Sequence, residues 1–361
     1  MSKFLSMFKL KKEAQLLDST LYILKAFIAV SVAFTIASHN SILDRDTISV
    51  LFGLMLTLEP VTWTGVRNGF SQLYASILGA FSTAVIIYFL GINIFTIALS
   101  VAFTLYVCLK INWREVSPVA IFTSIYMTQY VQKTPAGVPS ILLTFRLRMF
   151  CLGFGVLIAV LSNLIFSALY YRSMVRKRIT FLLESASNNL KELLQGVEAC
   201  DRDKVLGVKI SLPQTFNNID WVYSLFDDMK KEYKIGSRVL KTSAEDISKI
   251  QNILVGIRNI THLSYDMSYV LCENEEWDKD TNSREKILLE LKGAVAELKD
   301  ISKAYGKSDI VIDYDADKAK YIEFDEILKL ASEAYFIRVL DDLRETYENI
   351  NSIKAEISNN K

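Results

Sequence analysis

Histidine, cysteine and proline are scarce in this chain of 361 residues, which has 2 His, 4 Cys and 5 Pro. His39 and His262 lie far apart in sequence, so neither a histidine-based metal site nor a catalytic triad is expected. The cysteines are spaced too widely for a zinc site or a disulfide framework. We therefore expect free thiols, no metal ion and no cofactor.

The motifs of nucleotide chemistry are absent as well. The chain has no P-loop, no dinucleotide-binding fingerprint and no kinase signature. No candidate nucleophile stands beside a candidate base. These absences argue against an enzyme or an ATP-driven pump, and we expect no nucleic-acid partner.

Charge is scarce only in the first half of the chain. Residues 1–171 carry 12 Lys or Arg and 6 Asp or Glu, whereas residues 172–361 carry 29 and 34. This contrast indicates a change of solvent near Arg172, from lipid to water. We predict a cytoplasmic N-terminal segment over residues 1–19 that could lie on the membrane surface, a transmembrane domain over 20–171 and a cytoplasmic helical domain over 172–361.

The apolar half predicts an all-α, polytopic membrane protein. A bilayer core about 30 Å thick needs roughly 20 apolar helical residues to cross it. Residues 68–109 contain no charge and are long enough for two such helices. About six transmembrane helices are predicted, at Thr20–Ala37, Thr47–Trp63, Asn68–Leu90, Asn93–Leu109, Val116–Val131 and Met149–Tyr171. Lys25, one turn into the first of them, is expected to snorkel to the interface.

The distribution of basic residues predicts the orientation. With the N-terminus inside, eleven Lys and Arg lie on the inner side and four on the outer side. Because cytoplasmic loops carry the excess of Lys and Arg, both termini should be cytoplasmic.

The membrane half also contains a weak internal repeat. Gln72 precedes Gly79 by seven residues, and Arg148 precedes Gly155 by the same distance. The period suggests two three-helix units, and an odd number of spans in each would invert the second relative to the first. The alternative is that any two transmembrane hairpins look alike.

These two segments carry a resemblance to a known family. The six spans, the helical domain after them and the openings QLYASILGAFSTAV and RLRMFCLGFGVLIAVLSN together resemble the aromatic acid exporter family, relatives of the fusaric acid resistance proteins. In that family such a helix usually opens with an arginine before a glycine-bearing apolar run. Arg148, Gly153 and Gly155 match this pattern and so does Gly79, but Gln72 stands where the first arginine is expected. Arg67 lies more than one turn away.

The resemblance implies an exporter of small aromatic carboxylates, driven by the proton gradient and located in the bacterial inner membrane. The leading hypothesis is therefore a secondary transporter of organic anions. A passive anion channel is one alternative, and a membrane-anchored scaffold whose cytoplasmic domain binds a partner is another. We expect the lipid bilayer and a small anion as partners, and a homo-oligomer.

Charged and irregular positions inside the spans supply the candidate site. Pro60 should kink or end a helix and free backbone carbonyls, and Glu59 beside it could carry a proton. The alternative is an interfacial Glu59 paired with Arg67 or Lys110. Arg146 and Arg148, two residues apart, point in different directions from one helix, so one could bind an anion while the other snorkels. Gln72 and Arg67 complete the substrate or coupling candidates, and Gly79, Gly153 and Gly155 are expected at helix contacts.

The charged half is predicted to form a helical bundle. Apolar residues recur every three or four positions from Ile247 to Met267 and from Leu288 to Ile301. Helix breaks are expected near Gly207–Pro213, Gly236–Ser237, Glu273–Ser283 and Gly306–Asp317. The acidic run at Asp313, Asp315 and Asp317 lacks the glycine and glutamate of a calcium loop, which favours a solvated loop.

Overall fold

A computed structural model describes residues 20–59, 61–111, 113–129, 131–236, 244–274, 277, 281–306 and 334–358. The predicted surface segment 1–19, Pro60 and the acidic run 313–317 lie outside these residues. The chain divides into two compact units, Met1–Tyr171 and Arg172–Lys361.

The described residues are almost entirely helical, which confirms the all-α fold. In chain order the α-helices are α1 (Thr20–His39), α2 (Thr47–Thr57), α3 (Thr62–Leu90), α4 (Ile94–Ile111), α5 (Trp113–Gln129), α6 (Ile141–Glu198), α7 (Arg202–Gly236), α8 (Ala244–Glu273), α9 (Thr281–Gly306) and α10 (Ala334–Ser358). A short 3-10 helix, Leu43–Asp46, joins α1 to α2.

Three helices of the described residues are long and apolar enough to cross a membrane. They are Tyr22–His39, Thr62–Leu90 and Ile141–Phe166, and Ile94–Lys110 is a shorter apolar helix. Of the exposed large hydrophobic residues, all but five lie in the first unit, between Ile23 and Ile165. A surface this apolar is suited to lipid rather than to water.

The boundary predicted between the second and third spans is wrong. α2 ends at Thr57 rather than Trp63, and α3 begins at Thr62 rather than Asn68. Leu58 and Val61 adopt extended backbone conformations between the two helices. The residue before a proline is disfavoured in the helical region, and Glu59 precedes Pro60, so the chain leaves the helix earlier than hydropathy suggests.

The start predicted for the sixth span is wrong too. α6 begins at Ile141, two turns before Met149, and the Ser140 hydroxyl caps it by accepting a hydrogen bond from the Leu143 amide at 3.3 Å. Arg146 and Arg148 therefore lie within the helix and not at its mouth. Hydropathy placed the start of this helix after the arginines because their charge lowers the average. The capping hydrogen bond at Ser140 does not affect a hydropathy average.

Glycines allow the backbones of the first unit to approach closely. A Cβ added at Gly155 of α6 would collide with the Val50 carbonyl of α2, and one added at Gly53 of α2 would collide with the Leu152 carbonyl of α6. Gly79 of α3 lies in the same way against the Ala120 carbonyl of α5. These helix pairs therefore cross at a separation that only glycine permits.

Gly153 differs from its neighbour in α6. A Cβ added there would meet no atom within 4 Å. Gly153 is therefore not at a helix contact of the described residues, although it shares the sequence motif with Gly155.

The second unit is a helical bundle with an apolar core. The periodic residues from Ile247 to Met267 bury Leu254, Ile257 and Ile260 fully. The break predicted at Gly207–Pro213 is wrong, because α7 continues through Pro213. Val205, Val208, Leu212, Ile219 and Val222 keep one helical face buried on both sides of this proline, so packing overrides the local preference.

The two glycines of α6 give the first testable prediction. Gly155→Ala should destabilise the protein by about 1–3 kcal/mol, because the methyl group forces α2 and α6 apart. Gly153→Ala should be neutral or stabilising by up to about 1 kcal/mol, because alanine is the better helix former and meets nothing. Thermal unfolding of the two variants in the same detergent measures the difference. Equal shifts in Tm would contradict the close crossing at Gly155.

Candidate functional site

Two clusters of polar and charged side chains of the first unit lie at the two ends of α2. This helix has 11 residues, so its ends are about 16 Å apart at 1.5 Å per residue. The Asp46 cluster, at the start of α2, consists of Asp46, Ser49, Thr123, Tyr126 and Arg148. The Glu59 cluster, at its end, consists of Tyr22, Lys25, Glu59, Asn68 and Asn163.

Asp46 is the N-cap of α2. Its carboxylate accepts from the Ser49 amide at 3.1 Å and from the Ser49 hydroxyl at 2.5 Å. It also accepts a hydrogen bond from the Tyr126 hydroxyl of α5. The residue is 4% exposed. An anion at a helix N-terminus is stabilised by the free amides and the helix dipole, which explains how a carboxylate is held inside this bundle.

Arg148 is the charged centre of the Asp46 cluster. The residue is 0% exposed and is the largest fully buried side chain of the described chain. Its two terminal nitrogens donate to the Ser49 hydroxyl at 2.9 Å and to the Thr123 hydroxyl at 3.1 Å. Its Nε–H, which is also buried, has no hydrogen-bond partner among the described residues.

Aromatic rings cover the guanidinium. The Arg148 Cζ lies 3.9 Å from the centroid of the Tyr126 ring and 5.9 Å from that of Phe122. A cation over an aromatic face gains electrostatic energy, and the gain increases when the pair is desolvated. Tyr126 therefore contacts both charges of the cluster, through its ring to Arg148 and through its hydroxyl to Asp46.

The Asp46 cluster joins both predicted three-helix units. Thr123, which accepts from Arg148, donates to the Ser76 hydroxyl of α3 at 3.3 Å. Asp46 and Ser49 come from α2, Tyr126 from α5 and Arg148 from α6. One hydrogen-bond network thus connects α2 and α3 with α5 and α6.

The Glu59 cluster supports the chain between α2 and α3. The Glu59 amide donates to the Asn163 side-chain oxygen at 3.2 Å, and the Asn163 amide group donates to the Thr57 carbonyl at 3.1 Å. The Tyr22 hydroxyl donates to the Leu58 carbonyl at 2.9 Å. Because lipid offers no hydrogen bonds, these side chains are needed to satisfy the backbone where the helix is interrupted.

Lys25 is part of this support, so the prediction that it snorkels is wrong. It is 3% exposed, and its ammonium group donates to the Glu59 carbonyl at 2.6 Å. The Glu59 carboxylate, which is half-buried, accepts from the Asn68 side chain at 3.0 Å. A cation and an anion therefore meet at the unwound segment, where free carbonyls attract the lysine more than the interface does.

Three further candidates share helices with members of the clusters: Arg67 and Gln72 lie in α3, and Arg146 lies in α6. Arg67 and Arg146 are exposed, and Gln72 is half-buried with an unpartnered side-chain oxygen. Arg146 and Arg148 face different environments, as expected for positions two residues apart in a helix.

Sequence reasoning missed Asp46, Ser49 and Asn163. Asp46 carried a usable signal, since an aspartate directly before an apolar helical run is typical of an N-cap. Ser49 and Asn163 gave none, because single polar residues inside apolar helices are common and only the packing brings them together.

No group of His, Cys, Asp and Glu that could hold a metal ion occurs among the residues that the structure describes. The charges of the two clusters instead bind backbone, hydroxyl and aromatic groups. Such an arrangement can bind an organic ion or move a proton, whereas nothing in it resembles a nucleophile with its base.

The apolar helices and the charges buried between them define an integral membrane protein. Residues 19–166 match the model of aromatic acid exporter family member 1. The resemblance seen in the sequence is thereby confirmed for these residues, which make up less than half of the chain.

The chain is also similar to curated bacterial proteins. A UPF0421 protein of Oceanobacillus iheyensis is 24% identical over 40% of this chain and 39% of its own length. A UPF0421 protein of Staphylococcus haemolyticus is 26% identical over 46% of the chain and 52% of its own length. A third, from Bacillus cereus, is 22% identical over 67% of the chain and 68% of its own length. The matched part of the chain thus spans about half or less of the length of the first two relatives.

One titratable group of the second unit is perturbed by its neighbours. Burial raises the pKa of Asp342 in α10 to about 7, and the carboxylates of Asp266 in α8 and of Asp341 and Glu345 in α10 add to this, whereas Arg338 opposes it. The folded state therefore holds a proton on Asp342 that the unfolded chain releases near pH 4. The contribution of Asp342 to the free energy of unfolding is therefore most favourable below that pH, and it becomes less favourable as the pH rises toward 7.

Asp342→Asn should remove this pH dependence. The variant should be more stable than the wild type by about 1–2 kcal/mol above pH 7, after allowance for solvent screening, and equal to it at pH 4. Hydrogen exchange of α8 and α10, compared between variant and wild type at each pH, measures the effect. Glu348→Gln, an exposed carboxylate on the same helix, is the control. Equal protection of the wild type and Asp342→Asn at pH 8 would contradict the assignment.

Proposed function

We propose that this protein exports small aromatic carboxylates across the bacterial inner membrane as a secondary transporter. The observation that carries the proposal is Arg148, a fully buried guanidinium under an aromatic ring in a helix long enough to span the membrane. The match of residues 19–166 to the model of aromatic acid exporter family member 1 supports the same substrate class.

Arginine is suited to this role for two reasons. Its planar fork of N–H donors matches the two oxygens of a carboxylate, and its faces stack on aromatic rings. Arg148 has one unpartnered donor, Nε, and its guanidinium lies over the ring of Tyr126 and farther from that of Phe122. The same position thus offers charge to a carboxylate and an apolar face to the ring that carries it.

Glu59 is the candidate for proton coupling. It follows the end of α2, at an interruption of the helical backbone, and its carboxylate is half-buried. Interrupted helices in transporters place ion and substrate groups where carbonyls and helix ends meet. Lys25 and an ionised Glu59 at this segment together carry no net charge. Protonation of Glu59 would leave the positive charge of Lys25, and such a change in charge is the property that a coupling site requires.

Six spans with cytoplasmic termini remain part of the proposal. α1, α3 and α6 are long enough, and α2, α4 and α5 would complete two units of three helices, α1–α3 and α4–α6. The positive-inside count supports this orientation, and Arg148 no longer weighs against it, because it is buried in the bundle rather than placed in an outer loop. We further propose a homo-oligomer in the bilayer.

Efflux from proteoliposomes loaded with a panel of aromatic carboxylates, with and without an imposed pH gradient, tests the proposal. Arg148→Lys, which keeps the charge but loses the fork, should reduce efflux about ten-fold or more. Arg146→Lys, two residues away and exposed, should have no effect. Glu59→Gln should abolish the response to the pH gradient.

The outcomes separate the alternatives. Downhill flux that ignores the gradient in both the wild type and Glu59→Gln would indicate a passive anion channel. An absence of flux across the whole panel would indicate a membrane-anchored scaffold. Efflux that survives Arg148→Lys unchanged would place the substrate elsewhere.

A further inference from the structure

Asp46 stands where a bound anion would be expected. We infer that Asp46 is an internal substitute for the substrate carboxylate, and that an aromatic carboxylate binds Arg148 by replacing Asp46 as its counter-ion. This inference rests on the proposed function of Arg148 as the anion-binding residue.

The hydrogen bonds show how the two charges are connected. The Ser49 hydroxyl donates to the Asp46 carboxylate at 2.5 Å and accepts from the Arg148 guanidinium at 2.9 Å. A single oxygen therefore bridges the two ions. The Asp46 carboxylate accepts two further hydrogen bonds, one from the Ser49 amide at the start of α2 and one from the Tyr126 hydroxyl.

The aromatic part of a substrate also has a substitute in the cluster. The Tyr126 ring covers the guanidinium at 3.9 Å while its hydroxyl contacts Asp46. Phe122 lies farther from the cation at 5.9 Å and stacks on Phe52, with ring centroids 4.8 Å apart. A carboxylate, connected through the Ser49 hydroxyl, and an aromatic ring, in contact with the guanidinium, are thus already present beside Arg148.

Charge explains why binding should proceed by replacement. Asp46 and Arg148 are 4% and 0% exposed and together carry no net charge. A second carboxylate added beside Asp46 would leave a buried net negative charge, which costs several kcal/mol. If Asp46 gives way, the site stays neutral. The neighbouring charged residues of this segment, Asp44 and Arg45, are exposed.

Binding of benzoate to the full-length protein in detergent, measured by titration calorimetry, tests the inference. Asp46→Asn should bind benzoate about ten-fold more tightly than the wild type, because the competing charge is gone. Asparagine caps a helix as well as aspartate does, so the fold around α2 is preserved. Asp44→Asn, two residues away and exposed, is the matched control and should bind like the wild type. Benzamide, which has no charge, should bind the wild type and Asp46→Asn equally.

A second variant tests the same competition with a smaller change. Tyr126→Phe keeps the ring against the guanidinium but removes one donor to Asp46, so benzoate should bind about three-fold more tightly as Asp46 is released more easily. If Asp46→Asn fails to fold, this variant decides the question. Benzoate affinity that is unchanged or lower in whichever of the two variants folds would overturn the inference.

Arg148→Lys separates this inference from the proposed function. Loss of benzoate binding in Arg148→Lys, together with unchanged affinity in Asp46→Asn, would leave Arg148 as the anion site and remove the role of Asp46. Benzoate binding that is equal in Arg148→Lys and the wild type would instead overturn the proposed function of Arg148.

Discussion

Burial of the Arg148 guanidinium is the constraint on which the rest of the first unit depends. An unpaired cation inside an apolar bundle would cost several kcal/mol, so every surrounding element has to contribute to its neutralisation. α2 provides Asp46 and Ser49, and α5 provides Thr123 and the ring of Tyr126. The same contacts fix how α2, α5 and α6 are positioned, so the residues that we propose to bind substrate also hold these helices together.

The shortness of α2 is the second constraint. A helix of 11 residues is only about half as long as a bilayer core is thick, so the polar groups at its ends need partners within the protein. Asp46 satisfies the amides at its start, while Lys25 and Asn163 satisfy the carbonyls and the amide beyond its end. The glycine contacts of Gly53 and Gly155 with α6 hold this short helix in place without a polar interaction.

Much of this architecture could be predicted from hydropathy and charge, and the part that could not has a common cause. The apolar runs predicted the first and last residues of α1 and α4 to within two residues, because the thickness of the bilayer sets the length of a span. The early end of α2 follows from Glu59 preceding Pro60, and the start of α6 depends on the cap at Ser140, and a hydropathy average ignores both. The family motif pointed to Arg148 but did not separate it from Arg146, and its partners Ser49 and Tyr126 come from helices distant in sequence. Contacts of this kind arise only from packing.

A double-mutant cycle on Asp46 and Arg148 tests the central claim that the two residues form one neutral unit. Unfolding free energies of the wild type, Asp46→Asn, Arg148→Gln and the double variant would be compared in one detergent. The account predicts a coupling of at least about 1 kcal/mol, with the double variant less destabilised than the sum of the single changes, because each single change leaves one charge buried without its counter-ion. Additive effects would contradict it, since they would mean that the two charges do not depend on each other.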